Sequence, residues 1–142
     1  MRFPSEPIKV LLVEDNPGDV RVLQGMLEEH PEPGCTLVCR GTLTAAQHYL
    51  HTDRADVVLL DLGLPDAYGF EALEGVKELI QRTPVVVLTA LEDERVTRRA
   101  LEQGAQDFLV KGHFDADLLF RSILYAMDRQ RGVLETQVRT FV

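Results

Sequence analysis

Three carboxylates, a hydroxyl and an ammonium group stand at the ends of apolar runs. Glu14 and Asp15 close "IKVLLVED" (8–15), Asp61 closes "DVVLLD" (56–61), Thr89 closes "PVVVLT" (84–89) and Lys111 follows "QDFLV" (106–110). A carboxylate beside a hydrophobic interior is costly unless something pairs with it, and carboxylates held together repel one another. Oxygen donors of this kind suit a hard divalent ion, and so sparse a set suits Mg²⁺ that keeps several of its waters. Whether these groups meet depends on the elements that carry them.

Each apolar run is strand-sized, and a stretch with helical periodicity follows it. "NPGDVRVLQGMLEEH" (16–30) places Asn16 at the N-cap, Pro17 in the first turn, and Val20, Leu23 and Leu27 on one apolar stripe. "CTLVCR" (35–40) reads as the second strand and "TLTAAQHYLHT" (42–52) as the second helix. Further helices are expected over 69–80, over "DERVTRRALEQG" (93–104), closed by Gly104, and from Asp115 onward. Five strands alternating with five helices specify an α/β domain: a doubly wound, five-stranded parallel sheet with helices on both faces, flavodoxin-like, in strand order 2-1-3-4-5. Such sheets bind ligands in the crevice beyond the carboxyl ends of their strands, which is where Glu14, Asp15, Asp61, Thr89 and Lys111 fall. The domain is expected over 8–131, with 1–7 an N-terminal extension and 132–142 a C-terminal helical extension or tail.

At 142 residues, 45% hydrophobic and 27% charged, the chain suits one globular domain with a sizeable core. Its net charge of -8 argues against a nucleic-acid surface built on excess Lys and Arg, and against a polybasic membrane anchor. No apolar run is long enough to span a membrane, and "MRFPSEP" lacks the apolar stretch of a signal peptide. The expected location is therefore the cytoplasm. Cys35 and Cys39 lack the further ligands of a zinc site and read as small residues packed in or near a strand.

Four stretches together resemble the receiver domain of two-component response regulators: "LLVEDNPGD", "VVLLDLGLPDAYGFEAL", "VVVLTA" and "DFLVKG". The resemblance covers roughly residues 7–130. It implies that Asp61 accepts a phosphoryl group from a phosphohistidine on a sensor histidine kinase or phosphotransfer protein. It implies Mg²⁺ bound by Asp15, Asp61 and the Gly63 carbonyl, with Glu14 acting through water. Thr89 would bond a phosphoryl oxygen, and Lys111 would pair with the acceptor and then with the phosphate. Thr89 and Phe108 would form the switch, relaying the change to a face made by the helix after Thr89, the last strand and the final helix. The chain would be a signalling switch that catalyses its own phosphorylation, not an enzyme. The residue types suit this chemistry independently, because phosphoryl transfer needs positioning and charge neutralisation, and an Asp carboxylate forms an acyl phosphate.

Judged singly, each of these residues has a plainer reading: Asp61 as a turn or cap residue, Thr89 as a β-former, Lys111 as a surface charge, and Phe108 as core packing. Their joint occurrence favours the functional one. Gly112 stands where the family usually has proline after a cis bond, and a trans or mobile loop is expected there. Neither Gly63 nor Leu91 offers a side chain to orient a hydrolytic water, so self-dephosphorylation should be slow. Along the final helix Phe120, Ile123, Met127, Gln130, Leu134, Gln137 and Phe141 form a coiled-coil-like seam. It suits a homodimer or a connector to an output domain, without direct contact to nucleic acid or membrane. Arg95, Arg99, Asp107, Asp117 and Arg121 are candidates for pairing across such a dimer.

Other functions fit less well. A phosphatase of the haloacid dehalogenase type needs a second Asp where Gly63 stands. A nucleotide-binding domain needs a glycine-rich fingerprint that is absent. A phosphorylation-independent receiver-like interaction module remains as the alternative.

Overall fold

Two strands, β3 (Val57–Asp61) and β4 (Val85–Thr89), are buried at every position, as their unbroken runs of branched residues require. They lie at the centre of a parallel sheet in the order β2-β1-β3-β4-β5, flanked by β1 (Ile8–Val13), β2 (Cys35–Arg40) and β5 (Asp107–Val110). The expected α/β, doubly wound order is therefore the observed one. The computed structural model describes residues 6–65, 75, 77, 80, 83–90 and 94–141, and beyond residue 130 by backbone alone. The helix expected over 69–80 and the position of Leu91 lie outside the described residues, apart from Gly75, Lys77 and Ile80.

Alternation along each strand splits the core in two. Leu11, Val13, Val58, Leu60, Val85 and Val87 point to one face, where they meet α2 (Leu43–Thr52) and α3 (Glu94–Glu102) through Ala46, Tyr49 and Ala100. Val10, Leu12, Leu59, Val86, Leu88 and Leu109 point to the other. There α1 (Pro17–Glu28) contributes Leu23 and Leu27, and α4 (Ala116–Phe141) contributes Leu119, Phe120 and Ile123.

Helix ends follow their local sequence. Asn16 caps α1 by accepting hydrogen bonds from the N–H groups of Gly18 (2.8 Å) and Asp19 (3.1 Å). Gly104 ends α3 at φ 113°, a conformation that favours glycine. A Cβ there would also come within 2.8 Å of Ile80 Cγ2. Cys35 and Cys39 are unpaired, half-buried residues of β2 that pack against the core.

The final helix departs from one expectation. Phe120 and Ile123, the first residues of the expected seam, are buried against the sheet, and Met127 packs beside them. Gln130 accepts a hydrogen bond from Gln106 Nε2 at 2.9 Å. This half of the seam closes the domain's own core and is not free for a partner. The reason is economy of apolar surface: the same period of three and four residues serves a sheet as well as it serves a coiled coil. Leu134, Gln137 and Phe141 have no described side chains.

Truncating Ile123 to alanine removes a fully buried side chain from the α4–sheet contact. The expected cost is about 2–5 kcal/mol, read as a lower urea midpoint with an unchanged denaturant slope.

Candidate functional site

Strand register brings the polar residues to one edge. Val13 pairs with Arg40 on one side and Leu60 on the other, Asp61 with Leu88, and Thr89 with Val110. Glu14, Asp15, Asp61, Thr89 and Lys111 therefore emerge side by side and line one open cavity of about 290 Å³, together with Gly63, Asn16 and Asp19.

Glu14 is only 3% exposed. Lys111 Nζ stands 2.8 Å from Glu14 Oε2 in an ion pair. The other oxygen, Oε1, accepts from Asn16 N–H at 3.2 Å. Burial pushes the Glu14 carboxyl up to about 7; the Lys111 bond opposes this, while the charge of Asp61 adds to it. Asp61 divides its oxygens between two partners. Oδ1 accepts from Gly63 N–H at 3.0 Å, and Oδ2 lies 3.2 Å from Lys111 Nζ.

Lys111 also pairs with Asp19 Oδ2 at 3.1 Å. Burial lowers the pKa of its ammonium, but the bond to Glu14, the charge of Asp61 and the bond to Asp19 outweigh burial and hold it above its ordinary value. Nothing in the sequence alone assigns Asp19 to the site. It sits in the first turn of α1, where an acid is ordinary for reasons of helix dipole alone. The only available signal was its closeness to Asn16 and Pro17, which turn that helix back over the strand ends.

The lysine's placement is secured from the backbone. Lys111 N–H donates to Thr89 C=O at 2.9 Å, and His113 N–H to Val110 C=O at 2.9 Å. The second bond closes a four-residue turn with Gly112 in third place at φ 81°, the left-handed conformation that a type II turn demands. Among the described residues the one cis peptide bond is Glu32–Pro33, so Lys111–Gly112 is trans. Glycine here supplies a turn that proline could not.

Thr89 is buried, but its hydroxyl is turned to the far side of the strand end. It donates to Ala90 C=O at 3.1 Å and accepts from Thr97 Oγ1 of α3 at 3.0 Å. Phe108 is 40% exposed, which rules out the core-packing reading. It lines a second cavity, of about 270 Å³, with Thr89, Thr97 and Leu101. Asp107 and Asp117 are engaged within the chain. Asp107 accepts from Ser122 Oγ at 2.8 Å, and Asp117 lies 3.2 Å from His30 Nε2 on the α1 side. Asp117 thus stands apart from the charges with which it was grouped, because the helix turns it toward α1.

The donor set fits a hard divalent cation. Glu14, Asp15 and Asp61 each offer an oxygen, all within 4.8 Å of one another. Asp15 is exposed and open to solvent, and all the side-chain donors are oxygens, as Mg²⁺ prefers. One lysine cannot neutralise four carboxylates, so charge remains for such an ion to balance.

Comparison with known proteins agrees with this geometry. A family described as the response regulator receiver domain matches residues 10–123. The transcriptional regulatory protein BasR of Escherichia coli is 34% identical over 104 residues, which are 73% of this chain and 46% of that protein. For the transcriptional regulatory protein VxrB of Vibrio cholerae the identity is 36% over 112 residues, 79% of this chain and 43% of that protein. The chain thus spans about half the length of the curated relatives it matches. The crystal structure of the signal receiver domain of a putative Luxo repressor protein from Vibrio parahaemolyticus superposes with a TM-score of 0.76 at 26% identity. That match covers 93% of this chain and 97% of the other. Among the described residues no helix is long and apolar enough to cross a membrane.

Glu14 gives the site a pH signature. Its pKa is raised in the folded chain from about 4.5 to about 7, so the folded state holds the proton more tightly than the unfolded one. In chelator this contribution to stability is present below pH 4.5 and is lost as the pH rises through 7. Urea unfolding across that range should therefore show a decline that Glu14→Gln flattens and that added Mg²⁺ offsets at pH 8.

Proposed function

The chain belongs to the response regulator receiver domain family, and from that membership we propose that it is a phosphorelay switch whose acceptor is Asp61. The observation that carries this is the division of Asp61's oxygens: Gly63 N–H holds Oδ1 while Lys111 holds Oδ2 at 3.2 Å. A carboxylate oriented by two cationic or N–H partners at the mouth of a cavity is aimed as a nucleophile. The donor is a phosphohistidine on a sensor histidine kinase or phosphotransfer protein. An Asp61 oxygen bonds to phosphorus as the P–N bond breaks. The electron pair leaves with the imidazole nitrogen, which takes up a proton, and Asp61 becomes an acyl phosphate.

Mg²⁺, when bound by Asp15, Asp61 and the Gly63 carbonyl with Glu14 acting through water, supplies charge neutralisation for the phosphoryl oxygens. Lys111 turns from the free carboxylate to the phosphate, and Thr89 donates its hydroxyl to a phosphoryl oxygen. Phe108, at the mouth of the second cavity, has room to move inward behind Thr89. The readout face consists of α3, β5 and α4, and it works by shifting an equilibrium between two conformations. The relatives BasR and VxrB are named as transcriptional regulators. This chain matches under half of each; its output is read as protein contact through that face or through the last turns of α4, as a dimer or as a link to an output domain.

Incubation with Mg²⁺ and acetyl phosphate should add one phosphoryl group by intact mass. The adduct should be absent from Asp61→Asn and abolished by chelator. An unmodified parent across several donors would favour the phosphorylation-independent module. Because Gly63 places no side chain along the path of a hydrolytic water, the phosphorylated form should persist well beyond seconds once donor is removed. Decay within seconds would count against that reading of Gly63.

A further inference from the structure

Thr97 is a residue of α3 with 6% exposure, outside the acidic cavity, and its hydroxyl donates to Thr89 Oγ1 at 3.0 Å. We propose that Thr97 is a positioning residue that latches the Thr89 hydroxyl on the α3 side, so that α3 opposes phosphorylation until this bond is released.

A hydroxyl has one proton and two lone pairs. In this structure the Thr89 proton goes to Ala90 C=O, and one lone pair accepts from Thr97. Neither partner is a carboxylate of the cavity or Lys111. To donate to an oxygen carried on Asp61, the Thr89 side chain must rotate about its first torsion and give up both bonds. Thr89 forms the wall shared by the acidic cavity and the cavity of Phe108, so its hydroxyl can serve only one side at a time. Thr97 thus ties a whole helix to the choice. The coupling is reciprocal: whatever draws α3 off β4 also frees Thr89 for the phosphoryl group.

This latch rests on the phosphorylation reading of Asp61, and the test separates the two. The full chain and its Thr97→Val and Thr97→Ser variants are titrated with beryllofluoride in saturating Mg²⁺, followed by fluorine NMR. Valine keeps the shape and removes the donor, so Thr97→Val should bind about threefold to tenfold more tightly, the worth of one hydrogen bond. Serine keeps the donor and should match the parent. In a Thr89→Ala background the valine substitution should change nothing further. Mg²⁺ affinity should be equal in all.

Equal or weaker beryllofluoride binding by Thr97→Val, or a serine variant that behaves like valine, overturns the latch alone. If the parent binds Mg²⁺ but no beryllofluoride, the phosphorylation reading fails and the latch fails with it. A second measurement needs no variant. Amide exchange over residues 97–101 of the parent should speed up when beryllofluoride binds, and unchanged or slower exchange there overturns the proposal.

Discussion

Electrostatic repulsion at the end of a hydrophobic sheet is the constraint on which this molecule turns. β3 and β4 bury every residue, and β1 buries all but Lys9. The same strands then deliver Glu14 and Asp61 to a place with little water. Among the described residues, Lys111, arriving from β5 across β4, is the cation that offsets that repulsion, and it does so incompletely. The turn at Gly112, the backbone bond from Lys111 to Thr89 and the cap at Asn16 all hold that lysine and those acids in register.

How much of this was legible depended on whether the information was periodic or pairwise. Runs such as Val57–Leu60 and Val85–Leu88 announce buried parallel strands, since their lack of alternation leaves no solvent face. The acids and the lysine were legible for a related reason, as charged residues at strand ends where the pattern breaks. Asp19 and Thr97 were not. Each sits on a helix where its residue type is unremarkable, and each acquires meaning only from a side chain on another element: Asp19 from Lys111 and Thr97 from Thr89. Phe108 shows a further limit: alternation on an edge strand of four residues does not decide which face is covered. The residues of α4 show another, because one apolar stripe fits either a sheet or a second helix.

The two faces of the sheet divide the labour. On the face of α1 and α4, Phe120 and Ile123 lock the final helix to the sheet, and His30 stacks on Phe120 with ring centroids 4.3 Å apart. On the other face, α3 is a short helix whose burial rests on Thr97 and Ala100. The thinner apolar contact lies beside the more polar one, so among the described helices α3 has the least to lose by moving.

Asp19 carries a consequence of a different kind. Lys111 holds three carboxylates, so a phosphoryl group arriving on Asp61, as proposed, would not meet a vacant cation. It enters an auction in which two bidders must be outbid. The gain on the proposed phosphorylation would then be a difference between competing attractions, which draws the two states closer in free energy. A lysine with Asp61 as its sole partner would commit the protein to one state. A lysine with several partners leaves the outcome open to the modest forces that a neighbouring protein can exert.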